Sequence, residues 1–333
     1  MSHPSESSRK AGINRRQIVP SAAALLVAAA FLGAVSPTPA KAQGPNTDGG
    51  KAYLFPDDFK AFRFKTTGAE INGVIGGKGP PVLLLHGYPQ SHVAWHLVAA
   101  ELARDFTVVA TDLRGYGDSS KPPAGDDHAG YSKRAMAQDQ VEVMKHFGFD
   151  KFAAAGHDRG GRVVHRMALD HADKVTKAAV RDIIPTKHFY DHLTPELKAA
   201  YPHWFFLVQP DAETTIEKNL ERYVSRGQSA TAKEYLRTFR IPGTVHAGCE
   251  DYRAGATIDL QHDKEDKGKK VACPLLVLWA KNAPMGRLFD VPATWRERAS
   301  AVSDQSKALP GGHNLPEGAP KEVTASLRAF LRP

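Results

Sequence analysis

Short runs that are apolar almost throughout recur along the chain at residues 82–85, 106–110, 152–155, 178–180 and 274–279. Apolar residues at successive rather than alternate positions are the pattern of strands covered on both faces in a parallel sheet. Between these runs, segments 91–102, 132–147 and 161–171 carry apolar residues at helical spacing. Strand and helix alternate, so the pattern predicts an α/β fold, a mostly parallel doubly wound sheet with helices on both faces. The alternation breaks after Pro185: from 189 to 270 the pattern is helical without strand-like runs, and the strand pattern resumes at Val271. A helical cap over residues 186–270 is therefore expected between two parts of one core, 43–185 and 271–333. Ligands of open parallel sheets bind beyond the carboxyl ends of the strands, where such a cap would roof a closed pocket.

With 42% hydrophobic and 24% charged residues in 333, the chain has the balance of a globular enzyme with a sizeable core. Its first 42 residues depart from that balance. Arg15-Arg16 precede an apolar run from Ile18 to Val35, and Pro-Thr-Pro then leads to the small-residue site Ala40-Lys41-Ala42. This order reads as a twin-arginine-like export signal cleaved after Ala42, which places the mature protein in the periplasm or outside the cell. A retained membrane anchor is the alternative; Pro20, the many alanines and the Ala-Lys-Ala site weigh against it, and no stable membrane association is expected after cleavage. Residues 1–42 carry five Lys or Arg and one Glu, so their removal lowers the formal net charge from +8 to +4. The remainder has no long basic block beyond 267–270 and no basic stretch interleaved with aromatics, so nucleic acid is not an expected partner. Cys249 and Cys273 are the only cysteines; they could pair, but they form neither a disulfide framework nor a zinc-type spacing.

The chemistry concentrates in Gly156-His157-Asp158-Arg159-Gly160-Gly161, which follows the strand-like run 152–155 and opens a helix near Arg162. This is a nucleophile elbow with aspartate in the position that serine usually holds. Small residues let the backbone turn sharply, and the amides at the helix start favour a negative charge. A carboxylate is already ionised at neutral pH and attacks a tetrahedral carbon bearing a leaving group, giving an ester to the enzyme; aspartate therefore predicts an alkyl substrate. The competing role for Asp158, a simple helix cap, fits the surrounding glycines poorly. His313, in the Gly/Pro-rich loop 310–316 near the C-terminus, stands where this chain order supplies a histidine, and would deprotonate the water that hydrolyses the ester. Asp182, just after the run ending at Arg181, could orient the imidazole. Its rival is an acid after the strand ending at Trp279, but no carboxylate follows there until Asp290. The amide of Tyr88, in His86-Gly87-Tyr88-Pro89-Gln90, would pair with that of Arg159 as an oxyanion hole.

These motifs resemble those of haloacetate dehalogenases of the α/β-hydrolase superfamily, particularly those acting on fluoroacetate. The likeness runs from about the strand before His86 to the C-terminus, through 86–90, 112–122, 156–162, 181–185, His203-Trp204, 250–253 and Gly312-His313. It implies an α/β-hydrolase fold with the cap inserted after the sixth strand. It also implies that Arg159 and Arg162 grip the substrate carboxylate, since guanidinium forks suit a carboxylate. His203, Trp204 and Tyr252 would offer N–H and O–H donors to the departing halide. Taken alone, Trp204 and Tyr252 read equally well as packing aromatics. The chain differs from the family pattern at Lys281-Asn282-Ala283-Pro284 and in its export signal.

The expected reaction is hydrolytic removal of halide from a small haloacid such as fluoroacetate or chloroacetate, giving glycolate. Its partners would be that substrate and water; a homodimer is left open, and the mechanism requires no metal or organic cofactor. An epoxide hydrolase is the main rival, using the same aspartate and histidine with cap tyrosines as proton donors, for which Tyr190, Tyr201, Tyr223, Tyr235 and Tyr252 are candidates. Against it stand two arginines for which an uncharged epoxide has no use. A non-catalytic carboxylate-binding protein on the same fold is the third reading.

Overall fold

The computed structural model describes residues 53–225 and 227–332. The export signal read over 1–42 and most of the following linker lie outside the described residues. One eight-stranded sheet forms the core: β1 (Lys60–Lys65), β2 (Glu70–Gly76), β3 (Pro81–Leu85), β4 (Thr107–Thr111), β5 (Phe152–His157), β6 (Val175–Arg181), β7 (Leu275–Ala280) and β8 (Lys307–Leu309). Their spatial order is β1-β2-β4-β3-β5-β6-β7-β8; β2 runs antiparallel to both of its neighbours and the other pairs are parallel.

The five apolar runs of the sequence become β3 to β7, and their side chains, including Leu83, Leu84, Ala154, Ala155, Val180 and Val277, are fully buried. The two antiparallel strands and β8 are absent from the sequence-based expectation, for physical reasons. β1 (KAFRFK) is a half-exposed edge strand carrying three charges, β2 (EINGVIG) is broken by glycine, and β8 has three residues. None presents a continuous apolar run.

Chain direction across the sheet reverses at β3: β4 lies on one side of it and β5 on the other. A crevice at such a switch point is the usual ligand site of an open parallel sheet. The strand ends are level there, with Leu85 opposite Gly156, Gly156 opposite Val180, and Val180 opposite Val277. Residues just past these positions must therefore cluster above the same edge. Between β6 and β7 the described residues form eight helices and no strand, from Thr186–Asp191 to Ile258–Glu265. Cys249 and Cys273 are free thiols.

Strand β5 extends two residues further than the apolar run, and the next helix, Arg159–Asp170, begins three residues earlier than expected. Asp158 is thus the whole connection. It turns the chain at φ 48°, ψ −118°, a strained conformation for any residue with a side chain. The turn is possible because the helix start lies flush on β3. A Cβ on Gly160 would stand 2.4 Å from the carbonyl oxygen of His86 and 2.5 Å from that of Leu85. Gly160→Ala is expected to destabilise the fold by about 1–3 kcal/mol through this overpacking, seen as a lower urea midpoint with an unchanged slope.

Candidate active site

Three residues anticipated to act together meet above the strand ends. Asp158 projects from the elbow after β5, Asp182 follows β6, and His313 lies on the loop after β8. His313 Nδ1 is 2.5 Å from Asp182 Oδ2, and its Nε2 is 3.8 Å from Asp158 Oδ2. Asp182 also adopts a positive φ, 50°, and its second oxygen accepts the Ala280 amide at 2.8 Å. The position after β7, empty of carboxylates in the sequence, thus contributes a backbone donor that fixes Asp182. The rival Asp290 instead caps the helix Val291–Arg296, accepting from Ala293 N at 3.0 Å.

The Tyr88 amide donates to Asp158 Oδ1 at 3.0 Å, the place anticipated for one half of the oxyanion hole. The Arg159 amide is the first of the elbow helix. His86 and Gly87 shape this approach: His86 Nε2 accepts from Leu113 N at 3.1 Å, and a Cβ on Gly87 would meet Asp158 Cβ at 2.6 Å.

A cavity of about 350 Å³ opens over Asp158. Its lining includes Asp158, Asp182 and His313 from the core, Arg162 from the elbow helix, and His203, Trp204 and Tyr252 from the helical insertion. Trp204 Nε1 and Tyr252 Oη have no hydrogen-bond partner among the described residues. Arg162 donates through Nη1 to the Ile184 carbonyl (3.0 Å) and Thr186 Oγ1 (2.9 Å) and stacks 4.5 Å from the Trp204 ring centroid.

Arg159 has a partner that the sequence did not suggest. Its guanidinium is 1% exposed, does not line the cavity, and is bonded to Asp251 of the helix Thr244–Ala256. The two arginines therefore do not present a matched pair of free forks: Arg162 faces the cavity, and Arg159 lies behind Tyr252, 4.2 Å from its ring centroid. Asp251 was not singled out in the sequence, although it falls inside the 250–253 motif; the available signal was the pair of adjacent carboxylates, Glu250 and Asp251, in the middle of a helix that also carries Val245, Ala247, Cys249 and Ala254.

Of the five tyrosines, Tyr201, Tyr223 and Tyr252 line the cavity. Tyr235 is turned away, donating to Glu317 Oε2 at 3.0 Å, and Tyr190 packs on Trp204. A cluster with metal-ligand chemistry, Glu213, His246 and Glu250, lies apart from the cavity. Arg253 Nη1 already bonds Glu213 at 2.6 Å and Glu250 at 2.7 Å, so those carboxylates have their countercharge.

Electrostatics favour an ionised Asp158. Burial pushes the Asp158 carboxyl up, but the charges of His313, Arg159 and Arg162 more than offset this and hold it well below the usual carboxylate range. Burial, reinforced by the charge of Arg159, brings Arg162 down to about 10, still cationic at neutral pH. Tyr252 is raised well above 10 by burial and by Asp158, so it remains an O–H donor. His157, its ring centroid 4.7 Å from that of His313 and tilted 50° to it, is pushed well below the ordinary histidine value by burial and by His313, and stays neutral.

The alpha/beta hydrolase fold family matches residues 80–320. The chain belongs to that family. This hydrolase is 44% identical to fluoroacetate dehalogenase from Burkholderia sp over 275 residues, 78% of the chain and 90% of the relative. It is 34% identical to soluble epoxide hydrolase from Corynebacterium sp. (strain C12), over 80% of the chain and 96% of the relative. A solved alpha/beta hydrolase structure from Nostoc sp PCC 7120 superposes with a TM-score of 0.79 at 52% identity, covering 82% of this chain and 98% of that one. The hydrolase is thus similar in sequence to both a dehalogenase and an epoxide hydrolase.

Burial works to lower the pKa of His313, but the Asp182 hydrogen bond and the charges of Asp158 and Asp182 win, and it is raised above 6.5. Protonated His313 therefore stabilises the folded state at low pH, a contribution lost as pH rises through the raised value. Neutralising Asp158 removes one of the raising charges. Asp158→Asn is expected to shift the His313 titration to lower pH in an NMR pH series, and an unmoved titration would show that the two groups do not interact.

Proposed function

We propose that this hydrolase removes halide from a small haloacid such as fluoroacetate or chloroacetate. The observation that carries the reading is Arg162, a buried cation facing a cavity whose floor is an aspartate nucleophile. An anionic substrate must approach an anionic nucleophile, and a guanidinium beside Asp158 both offsets the repulsion and holds the α-carbon in place.

The chemistry follows from the geometry. Tyr88 N–H holds Oδ1, which leaves Oδ2 to attack the α-carbon. The new C–O bond forms as the carbon–halogen bond breaks, and the halide departs with the electron pair toward the donors of His203, Trp204 and Tyr252. Fluoride is strongly hydrated in water, so several donors must replace that shell. Water, deprotonated by His313, then attacks the Asp158 carbonyl carbon while charge builds on Oδ1 beside the Tyr88 amide. His313 returns its proton to the departing glycolate oxygen. The carboxylic acid left on Asp158 ionises, so halide release is accompanied by one net proton. Asp158 is uncharged while esterified, which lowers the His313 pKa when the histidine must act as a base.

A second reading, epoxide hydrolysis, is favoured by one observation: Tyr201, Tyr223 and Tyr252 line the same cavity, and an opening epoxide needs O–H donors. The export signal over 1–42 is part of the proposal and would appear as secreted protein beginning at Gln43.

Fluoride and chloride release from the haloacetates, run beside diol formation from a simple epoxide, separates the two readings. Halide without diol is expected; diol without halide would reassign the site. Asp158→Asn is expected to lower kcat by about 10⁴-fold or more, as for removal of other nucleophiles. Arg162→Lys should raise KM for the haloacid roughly tenfold through loss of a fork geometry that lysine cannot reproduce.

A further inference from the structure

Asp251 lies mid-way along the helix Thr244–Ala256 and is fully buried. Three side chains of the sheet-bearing core converge on it. Arg159 Nε donates to Oδ2 at 3.0 Å, and Nη2 donates to Oδ1 at 2.7 Å and to the Asp251 carbonyl at 2.6 Å. Tyr116 Oη donates to Oδ2 at 2.6 Å, and Lys133 Nζ donates to Oδ1. Lys133 is shared in turn with Asp259, at 3.4 Å. Arg159 is the residue next to the nucleophile, and Tyr252 is the residue next to Asp251. One carboxylate therefore connects the elbow to the cavity wall.

A second feature of the same helix points to the same guanidinium. Gly255 stands one turn beyond Asp251, and a Cβ there would come within 2.9 Å of Arg159 Nη2. Glycine is disfavoured inside a helix, and here it leaves the space that Arg159 fills. Aspartate on one side, glycine on the other and the Tyr252 ring 4.2 Å away together define a seat for this side chain.

The charges explain what the seat does. Arg159 and Lys133 are balanced by Asp251 and Asp259, while Arg162 is left facing Asp158. A second unbalanced cation at the cavity would bind every small carboxylate more strongly, product included, without favouring the transition state.

We propose that Asp251 is a positioning residue for the dehalogenation: it fixes Arg159 against Tyr252 and offsets its charge, so that the site aims a haloacid carboxylate at Asp158 without over-holding the anion. The proposal rests on the haloacid reading. Acetate, an inert carboxylate of the same size, reads the anion grip without turnover, so failure of the two ideas can be told apart. Absence of halide release by the wild type sinks the haloacid reading alone, while acetate affinity still reports on Asp251.

The test is acetate binding by calorimetry, with kcat and KM for chloroacetate, on Asp251→Asn and Gly255→Ala. In Asp251→Asn the charge of Arg159 is unmasked and its orientation released. Acetate should bind about threefold tighter or more while kcat falls about tenfold or more, a split that general loosening of the structure would not give. Acetate affinity and kcat both within twofold of wild type, or both lost in parallel, would overturn the proposal. Should Asp251→Asn fail to fold, Gly255→Ala decides. It displaces the guanidinium without changing charge, so KM should rise severalfold while the protein stays folded by circular dichroism. Kinetics indistinguishable from wild type in Gly255→Ala would overturn the proposal.

Discussion

A buried, ionised carboxylate at the tip of a strained turn is the constraint on which the rest of this site depends. Asp158 is 5% exposed, and a charge so far from water is tolerated only when other charges and dipoles take the place of solvent. The Tyr88 amide, the imidazole of His313 and the cation of Arg162 fill that role, each delivered by a different element. The sheet satisfies the requirement geometrically, because its strand ends are level at the switch point, and residues distant in sequence emerge at one height.

The groups that stabilise Asp158 would also divide the work of the proposed reaction. While Asp158 is charged, His313 is held toward its protonated form; once Asp158 is esterified, that influence disappears and the imidazole becomes available as a base. The same residue thus answers to the state of the nucleophile, with Asp182, tethered by the Ala280 amide, keeping the ring oriented throughout.

Much of this was legible in the chain because it is written locally. The parallel strands are uninterrupted apolar runs, and the elbow is a glycine-flanked aspartate after one of them. Strands β1, β2 and β8 were not legible, since an edge strand such as Lys60–Lys65 alternates charge with half-buried aromatics and owes its conformation to its neighbour. The preference for Asp182 over a later acid agrees with its contact to His313, whereas the reading of Arg159 as a grip on the substrate carboxylate did not anticipate its bonds to Asp251. Spacing could put Arg159 beside the nucleophile. It could not show that a carboxylate 92 residues further along the chain would bond its Nε and Nη2.

The crowding around the elbow has a bearing on how such proteins diversify. Gly156, Gly160 and Gly87 are each closed in by backbone or by Asp158 itself, so almost any substitution there is penalised before it can be tried for function. In the helices between β6 and β7 the glycines meet side chains rather than backbone: a Cβ on Gly255 meets Arg159 and one on Gly248 meets Tyr88. A change at the elbow must therefore move main chain, whereas a change in the cavity wall need only move the end of a side chain, so the wall can be rewritten at a smaller cost to the fold.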